Sequence, residues 1–199
     1  MTDFKKQSGS RSGFSRRDFL RGSGTVAAVS ALQTQGAAVA EETGPGVVRG
    51  EQTITLRVNG QDRTVKVEPR TTLLEALRYQ LDLTGAKPVS RDGVSGASTV
   101  LVDGKPICAS TTLALAAVGK KIETIESLKD DPVTKAFVEH DALQCGFCTP
   151  GFVVAVRAFL KEHPNATEAD IRAGLNGNTC RCGAYANIIR AAMAVAKGG

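Results

Sequence analysis

Apolar and polar positions alternate from Thr53 to Val58, with Ile54, Leu56 and Val58 on one side, and this period of two predicts a half-buried strand. Asn59-Gly60 is a tight-turn signal, because both residues tolerate the positive φ of a two-residue hairpin, and Arg63 to Val67 reads as the returning strand. The period then changes. Leu73, Leu74, Leu77 and Leu81 recur at helical spacing through Asp82, and Thr72 with Glu75 forms a capping-box signature ahead of them. A second hairpin is predicted from Thr99 to Val102, a turn at Asp103-Gly104, and Lys105 to Ile107, with one more strand at Lys121 to Ile125. These elements make a small mixed sheet with one helix across it.

Beyond Asp130-Asp131-Pro132 the pattern is helical. Pro132 suits a first helical position, and Val133, Ala136, Phe137 and His140 line one face. Thr149-Pro150 opens a second helix with Phe152, Val153, Val156, Phe159 and Leu160 on its apolar face, stopped at His163-Pro164. Thr167 with Asp170 caps a third, carrying Ile171 and Leu175, and Tyr185 to Val195 reads as a fourth with Ile188, Ile189, Ala192 and Met193. The fold class is α+β, sheet first and helices after.

Composition matters once the first residues are set apart. Ser15-Arg16-Arg17-Asp18-Phe19-Leu20 follows a basic start and precedes a small, apolar run from Gly22 to Leu32, which leads to Ala38-Val39-Ala40. That order predicts a twin-arginine export signal, cleaved after Ala40, and a periplasmic destination. The apolar run falls short of a membrane span and is broken by polar residues, so no transmembrane anchor is expected. Residues 1–40 hold six Lys or Arg and two Asp, and their removal lowers the net charge from +5 to +1. The basic balance belongs to the signal, and no basic patch predicts nucleic acid as a partner.

Four of the five cysteines fall in two tight pairs, Cys145-Gly146-Phe147-Cys148 and Cys180-Arg181-Cys182, on loops that precede helices. Thiolates are soft ligands suited to zinc and to iron-sulfur clusters. A single residue between Cys180 and Cys182 fits a structural zinc site poorly and a two-iron cluster better, so Cys145, Cys148, Cys180 and Cys182 are the expected metal ligands. Helix-start N–H groups would stabilise the cluster's negative charge. Disulfides within either pair would be strained; cross-pairing between the loops and a zinc site stay open as alternatives. Twin-arginine export carries folded proteins, which lets a cluster be inserted before the chain meets an oxidising compartment. His140 and His163 sit beside helix ends, where capping is expected rather than ligation. No nucleophile-base constellation is visible, and Gly93 and Gly96 lack the Lys-Ser/Thr that a phosphate loop needs.

Gln144-Cys145-Gly146-Phe147-Cys148-Thr149-Pro150-Gly151 and Asn178-Thr179-Cys180-Arg181-Cys182-Gly183 resemble the proximal cluster site in iron-sulfur subunits of molybdenum hydroxylases, the xanthine dehydrogenase and aldehyde oxidoreductase family. The resemblance covers nearly all of the chain after the signal and is nearest to exported small subunits of periplasmic aldehyde oxidoreductases. It implies a linker over 41–51, a ferredoxin-like β-grasp domain over 52–127 and a four-helix 2Fe-2S-binding domain over 128–199. It also implies electron transfer from a molybdenum-pterin cofactor on a large partner subunit, where an aldehyde or heterocycle is oxidised. Gln144 and Cys182 would approach the pterin, and a flavin subunit or a cytochrome would accept electrons further on.

The family places a second cluster in its first domain, on cysteines in a C-x4-C-x2-C pattern with a fourth beyond the next hairpin. Here Ser90, Ser95, Ser98 and Ser110 occupy the matching positions, within a frame kept by Gly93, Gly96 and Thr99-Val100-Leu101-Val102-Asp103-Gly104, while Val89 and Arg91 also depart from the family's residues. A hydroxyl is a hard ligand that stays protonated at neutral pH, so this cluster is expected to be missing. Cys108, two residues before Ser110, cannot stand in for four thiolates and reads as a small buried hydrophobe. The alternative role is a docking subunit whose remaining cluster does not relay electrons; a metal-responsive regulator fits the export signal poorly.

Overall fold

Strand β1, Gln52–Val58, and strand β2, Gln61–Val67, pair antiparallel in the register Gln52↔Val67 to Val58↔Gln61 about the Asn59-Gly60 turn. The computed structural model describes residues 48–198; the expected signal segment and its cleavage point at Ala40 lie outside the described residues. Both turn residues have positive φ, 52° and 78°, as a two-residue hairpin with native twist requires. Asn59 does a second job. Its side-chain amide donates to Thr124 Oγ1 and its carbonyl oxygen accepts from Thr124 N, both at 2.9 Å, so the hairpin tip is tied to a residue 65 positions away.

Strands β3, Thr99–Val102, β4, Lys105–Cys108, and β5, Lys121–Glu123, complete a five-stranded sheet in the order β2-β1-β5-β3-β4. Strand β5 runs parallel to β1 and antiparallel to β3, which makes the sheet mixed. The strand expected through Ile125 stops at Glu123, because the Thr124 backbone N–H is taken by Asn59 and a 3-10 turn, Ile125–Leu128, follows.

The helix across the sheet begins as expected and ends differently. Thr72 and Glu75 form both halves of the capping box at the start of α1, Leu73–Glu75. From Ala76 to Gln80 the turn widens to π geometry, closed by Leu81 N–H donating to Ala76 O at 3.2 Å, and Asp82, with φ 56°, ends it. The widened turn keeps Leu73, Ala76 and Leu77 buried on the sheet and lets Arg78 Nη1 reach the carbonyls of Thr84 at 2.6 Å and Ala86 at 2.7 Å. The regular helix expected through Asp82 is therefore corrected to a short helix plus a wide turn.

Four helices follow: α2, Pro132–Glu139; α3, Thr149–Glu162; α4, Glu168–Gly174; and α5, Tyr185–Gly198. Asp131 caps α2 by accepting from Val133 N, and a Thr167/Asp170 capping box opens α4. Phe137, Phe152, Val153, Ile171 and Ile188 form the centre of their common core. Leu56, Val67, Leu73, Leu77, Val100 and Ile122 fill the sheet's own core.

Strand β3 belongs to both parts. Val100 faces the sheet core, whereas Leu101, on the opposite face, packs with Leu128, Val154 and Ala158, so the period of two hands alternate residues to different layers. Arg157 of α3 pairs with Asp131 at 2.8 Å and reaches Glu123 of β5 at 3.1 Å, linking the α2 cap to the sheet. At the closest approach, Gly151 in the first turn of α3 lies over Gly96; a Cβ at Gly151 would collide with the Gly96 carbonyl oxygen and lie 3.1 Å from Ala97 Cα. Backbone meets backbone there, so neither side can yield cheaply. Gly151→Ala is expected to destabilise the chain by about 1–3 kcal/mol and to lower its thermal midpoint by roughly 2–10 °C, read by circular dichroism on the chain lacking residues 1–40.

Candidate metal centre

The first cysteine pair lies on the short connection between α2 and α3. His140 ends α2, Asp141 takes φ 50°, and Ala142 N–H donates to Phe137 O at 2.9 Å, so the chain turns sharply before Gln144. Gln144 and Cys145 are exposed, and Cys148 is half-buried as the residue preceding α3. The second pair lies between α4 and α5, with Cys180 buried and Cys182 exposed. Gly146 and Gly183 both have positive φ, 78° and 81°, which gives each loop a left-handed turn beside its cysteines.

Residues at the start of α5 hold the second loop and tie it to the first. Tyr185, at the start of α5, accepts a 2.8 Å hydrogen bond on its hydroxyl from Cys180 N, and its ring meets Phe152 of α3 edge-on at 6.2 Å. Asn187 Nδ2 donates to Asp141 O at 2.9 Å and pins α5 to the first loop. Lys87 Nζ stands 5.8 Å from the centre of the exposed Phe147 ring. Tyr185 and Asn187 carried no signal beyond helical position in the sequence, because their partners are distant along the chain.

The four thiols form two interacting couples, Cys145 with Cys182 and Cys148 with Cys180, one from each loop. In each couple one thiol is more acidic than usual and the other less. The N–H of Phe147 and then the Cys182 thiol stabilise the Cys145 thiolate, while burial, then Cys180, pushes Cys148 up to about 12. Burial opposes ionisation of Cys180, but the Ala184 N–H, the Cys148 thiol and the N–H groups of Cys182 and Gly183 outweigh it and lower its pKa. The Cys145 N–H favours the Cys182 thiolate, yet the Cys145 thiol, burial and the charges on Cys145 and Cys180 raise Cys182. Within each couple the two thiols therefore differ in acidity, the first thiolate forming on Cys145 and on Cys180.

The arrangement offers two couples of sulfur donors, each drawing one thiol from each loop. Among the described residues, no three His, Cys, Asp or Glu side chains converge on a single-ion centre. Two couples of thiols suit a two-iron, four-thiolate cluster, in which each iron takes two sulfurs. Beside Cys148, the buried Thr149 Oγ1 meets no hydrogen-bond partner, an orphaned donor that an added acceptor would satisfy. All five cysteines are free thiols. His140 and His163 both stand at helix C-termini, the latter ring 4.8 Å from that of Phe159.

The serine quartet is also brought together, on the loop before β3 and just after β4. Ser90 and Ser95 hydroxyls lie 2.8 Å apart, and Ser98 donates to Ser110 at 3.0 Å. Ser90 accepts from Ser95 N, Ser95 from Ala97 N, and Ser98 from Ser110 N, so the hydroxyls are held by one another and by backbone. Four neutral hydroxyls, hard ligands that stay protonated at neutral pH, fit an iron-sulfur cluster poorly. Cys108 stands apart, donating to Gly93 O at 3.5 Å. The two sites touch through backbone: Thr179 N–H donates to Ser95 O at 3.0 Å, and Asn178 Nδ2 to Gly96 O at 2.9 Å.

Comparison with known proteins agrees with this geometry. Residues 123–193 match the family described as "[2Fe-2S] binding domain". The nicotine 6-hydroxylase small subunit of Paenarthrobacter nicotinovorans is 42% identical over 143 residues, 70% of this chain and 87% of that protein. The aldehyde oxidoreductase iron-sulfur-binding subunit PaoA of Escherichia coli O157:H7 is 38% identical over 195 residues, 88% of this chain and 85% of its own. Among solved structures, a chain of quinoline 2-oxidoreductase from Pseudomonas putida 86 superposes with a TM-score of 0.71 at 40% identity, covering 74% of this chain and 95% of that one. With two loops of paired thiols on a helical part packed behind a five-stranded mixed sheet, and relatives of this similarity over most of its length, the chain belongs to the iron-sulfur small subunits of the molybdenum hydroxylases, the xanthine dehydrogenase and aldehyde oxidoreductase family.

Proposed function

We propose that this electron-transfer subunit holds one 2Fe-2S cluster, on Cys145, Cys148, Cys180 and Cys182, and none on Ser90, Ser95, Ser98 and Ser110. The observation that carries the reading is the contrast between the two quartets: four thiols in two couples at one site, four mutually hydrogen-bonded hydroxyls at the other. A bound 2Fe-2S cluster supplies one-electron uptake and release. The chain supplies its setting. N–H groups of Phe147, Cys182, Gly183 and Ala184 offset negative charge on sulfur, and burial of Cys180 keeps water from the inner edge. Cys145 and Cys182 form the exposed edge, next to Gln144. That edge is where the large molybdenum subunit would dock, with Gln144 and Cys182 toward its pterin.

The named relatives act on aldehydes and on the nitrogen heterocycles nicotine and quinoline, so the large subunit is assigned one of these two substrate classes. The twin arginines, apolar run and Ala38-Val39-Ala40 triplet support a periplasmic complex. With the serine site holding no cluster, electrons would pass from the cysteine site to a flavin subunit or a cytochrome.

Iron analysis of the assembled complex is expected to give about two irons per chain and one 2Fe-2S signal by electron paramagnetic resonance; two distinct signals, or twice the iron, would overturn the reading. Cys145→Ala should cut substrate-driven reduction of the acceptor by at least ~100-fold while the sheet stays folded, and unimpaired turnover would remove Cys145 from the relay. Replacing Arg16 and Arg17 together by Lys should leave the protein in the cytoplasmic fraction; periplasmic recovery equal to that of the parent would argue against twin-arginine export.

A further inference from the structure

Beside the serine quartet the sheet part carries a cavity of about 530 Å³, and its wall includes Arg70, Arg78, Arg91, Glu75, Ser90 and Ser110. We propose that this cavity is an oxyanion pocket that takes a phosphate group. The inference rests on the reading that the serines hold no cluster, since Ser90 and Ser110 belong to both sites.

Three arginines and one glutamate line the cavity, and the glutamate carboxylate is already engaged. Glu75 accepts from Thr72 N at 2.8 Å and from Thr72 Oγ1 at 2.9 Å, as half of the capping box. Arg70 shares Glu68 at 3.0 Å, whereas no acidic group lies within 4.0 Å of the guanidinium of Arg78 or Arg91 among the described residues. Arg78 is held in place from behind. Its Nη1 donates to the carbonyls of Thr84 and Ala86, and its buried Nε meets no acceptor. A guanidinium fixed by two carbonyls loses little freedom when an anion arrives.

The hydroxyls point the same way. Ser98 accepts from Ser110 N and donates to Ser110 Oγ, which leaves the Ser110 proton without an acceptor inside the quartet. Ser110 lines the cavity, so its proton is a donor for a bound anion. The anchored guanidinium of Arg78, the exposed Arg91 without an acidic partner and the spare Ser110 hydroxyl together make a donor-rich wall, the chemistry that recognises phosphate oxygens.

Isothermal titration of the assembled complex with inorganic phosphate, and separately with inorganic pyrophosphate, tests the assignment. Saturable binding of either anion is expected, and the tighter of the two tells a free phosphate site from a diphosphate site. Arg91→Gln should weaken that binding by ~10-fold and Ser110→Ala by ~3-fold, with the visible absorbance of the complex unchanged as the control for folding. Heat that never saturates, or equal affinity in the parent and both variants, would overturn the pocket. Iron counted on the same samples separates the two readings: absent binding at two irons per chain rejects only the pocket, and four irons per chain rejects the one-cluster reading beneath it.

Discussion

Two loops that are separated in sequence by the whole of α3 and α4 must deliver four sulfurs to one place, and the chain does this by holding the loops rather than the cysteines. Tyr185 accepts from the Cys180 backbone, Asn187 holds the carbonyl of Asp141, and the first turn of α3 is seated against Gly96. None of these contacts uses a sulfur. The thiols are therefore left free for their own chemistry, and in each couple one thiolate is favoured and its partner disfavoured. Pre-positioned ligands lower the entropy lost when a metal group is taken up.

The sheet part shows a comparable two-by-two arrangement built on oxygen rather than sulfur. Ser90, Ser95, Ser98 and Ser110 still meet two by two, but the hydroxyls satisfy one another and neighbouring N–H groups at neutral charge. A thiolate site without metal carries repulsion among its sulfurs, as the charges of Cys145 and Cys180 on their neighbours illustrate. The serine version has no such penalty. Its loop is joined to the second cysteine loop by the bonds from Thr179 N–H to Ser95 O and from Asn178 Nδ2 to Gly96 O.

Local chemistry was readable in advance and long-range partnership was not. Asn59-Gly60, Asp103-Gly104 and the two capping boxes each depend on neighbours within a few residues, so their residue types announce the backbone they adopt. The paired cysteines were legible for the same reason, since their short spacing already restricts what can bind. The widened turn from Ala76 to Gln80 was invisible because Arg78 is drawn to carbonyls beyond the helix, which overrides a leucine spacing that reads as regular. Arg157 bridging Asp131 and Glu123, and Asn59 bridging to Thr124, likewise join elements that no periodicity connects.

The hydrogen bond from Thr179 N–H to Ser95 O couples the residue before Cys180 to the backbone of the serine site. Any change of charge or volume at Ser95 alters the dipole that this carbonyl presents next to a sulfur ligand position. A charge placed at the serine site would therefore be felt, through that carbonyl, at the residue before Cys180. Through this one bond the sheet and the helices share an electrostatic link as well as a packed boundary.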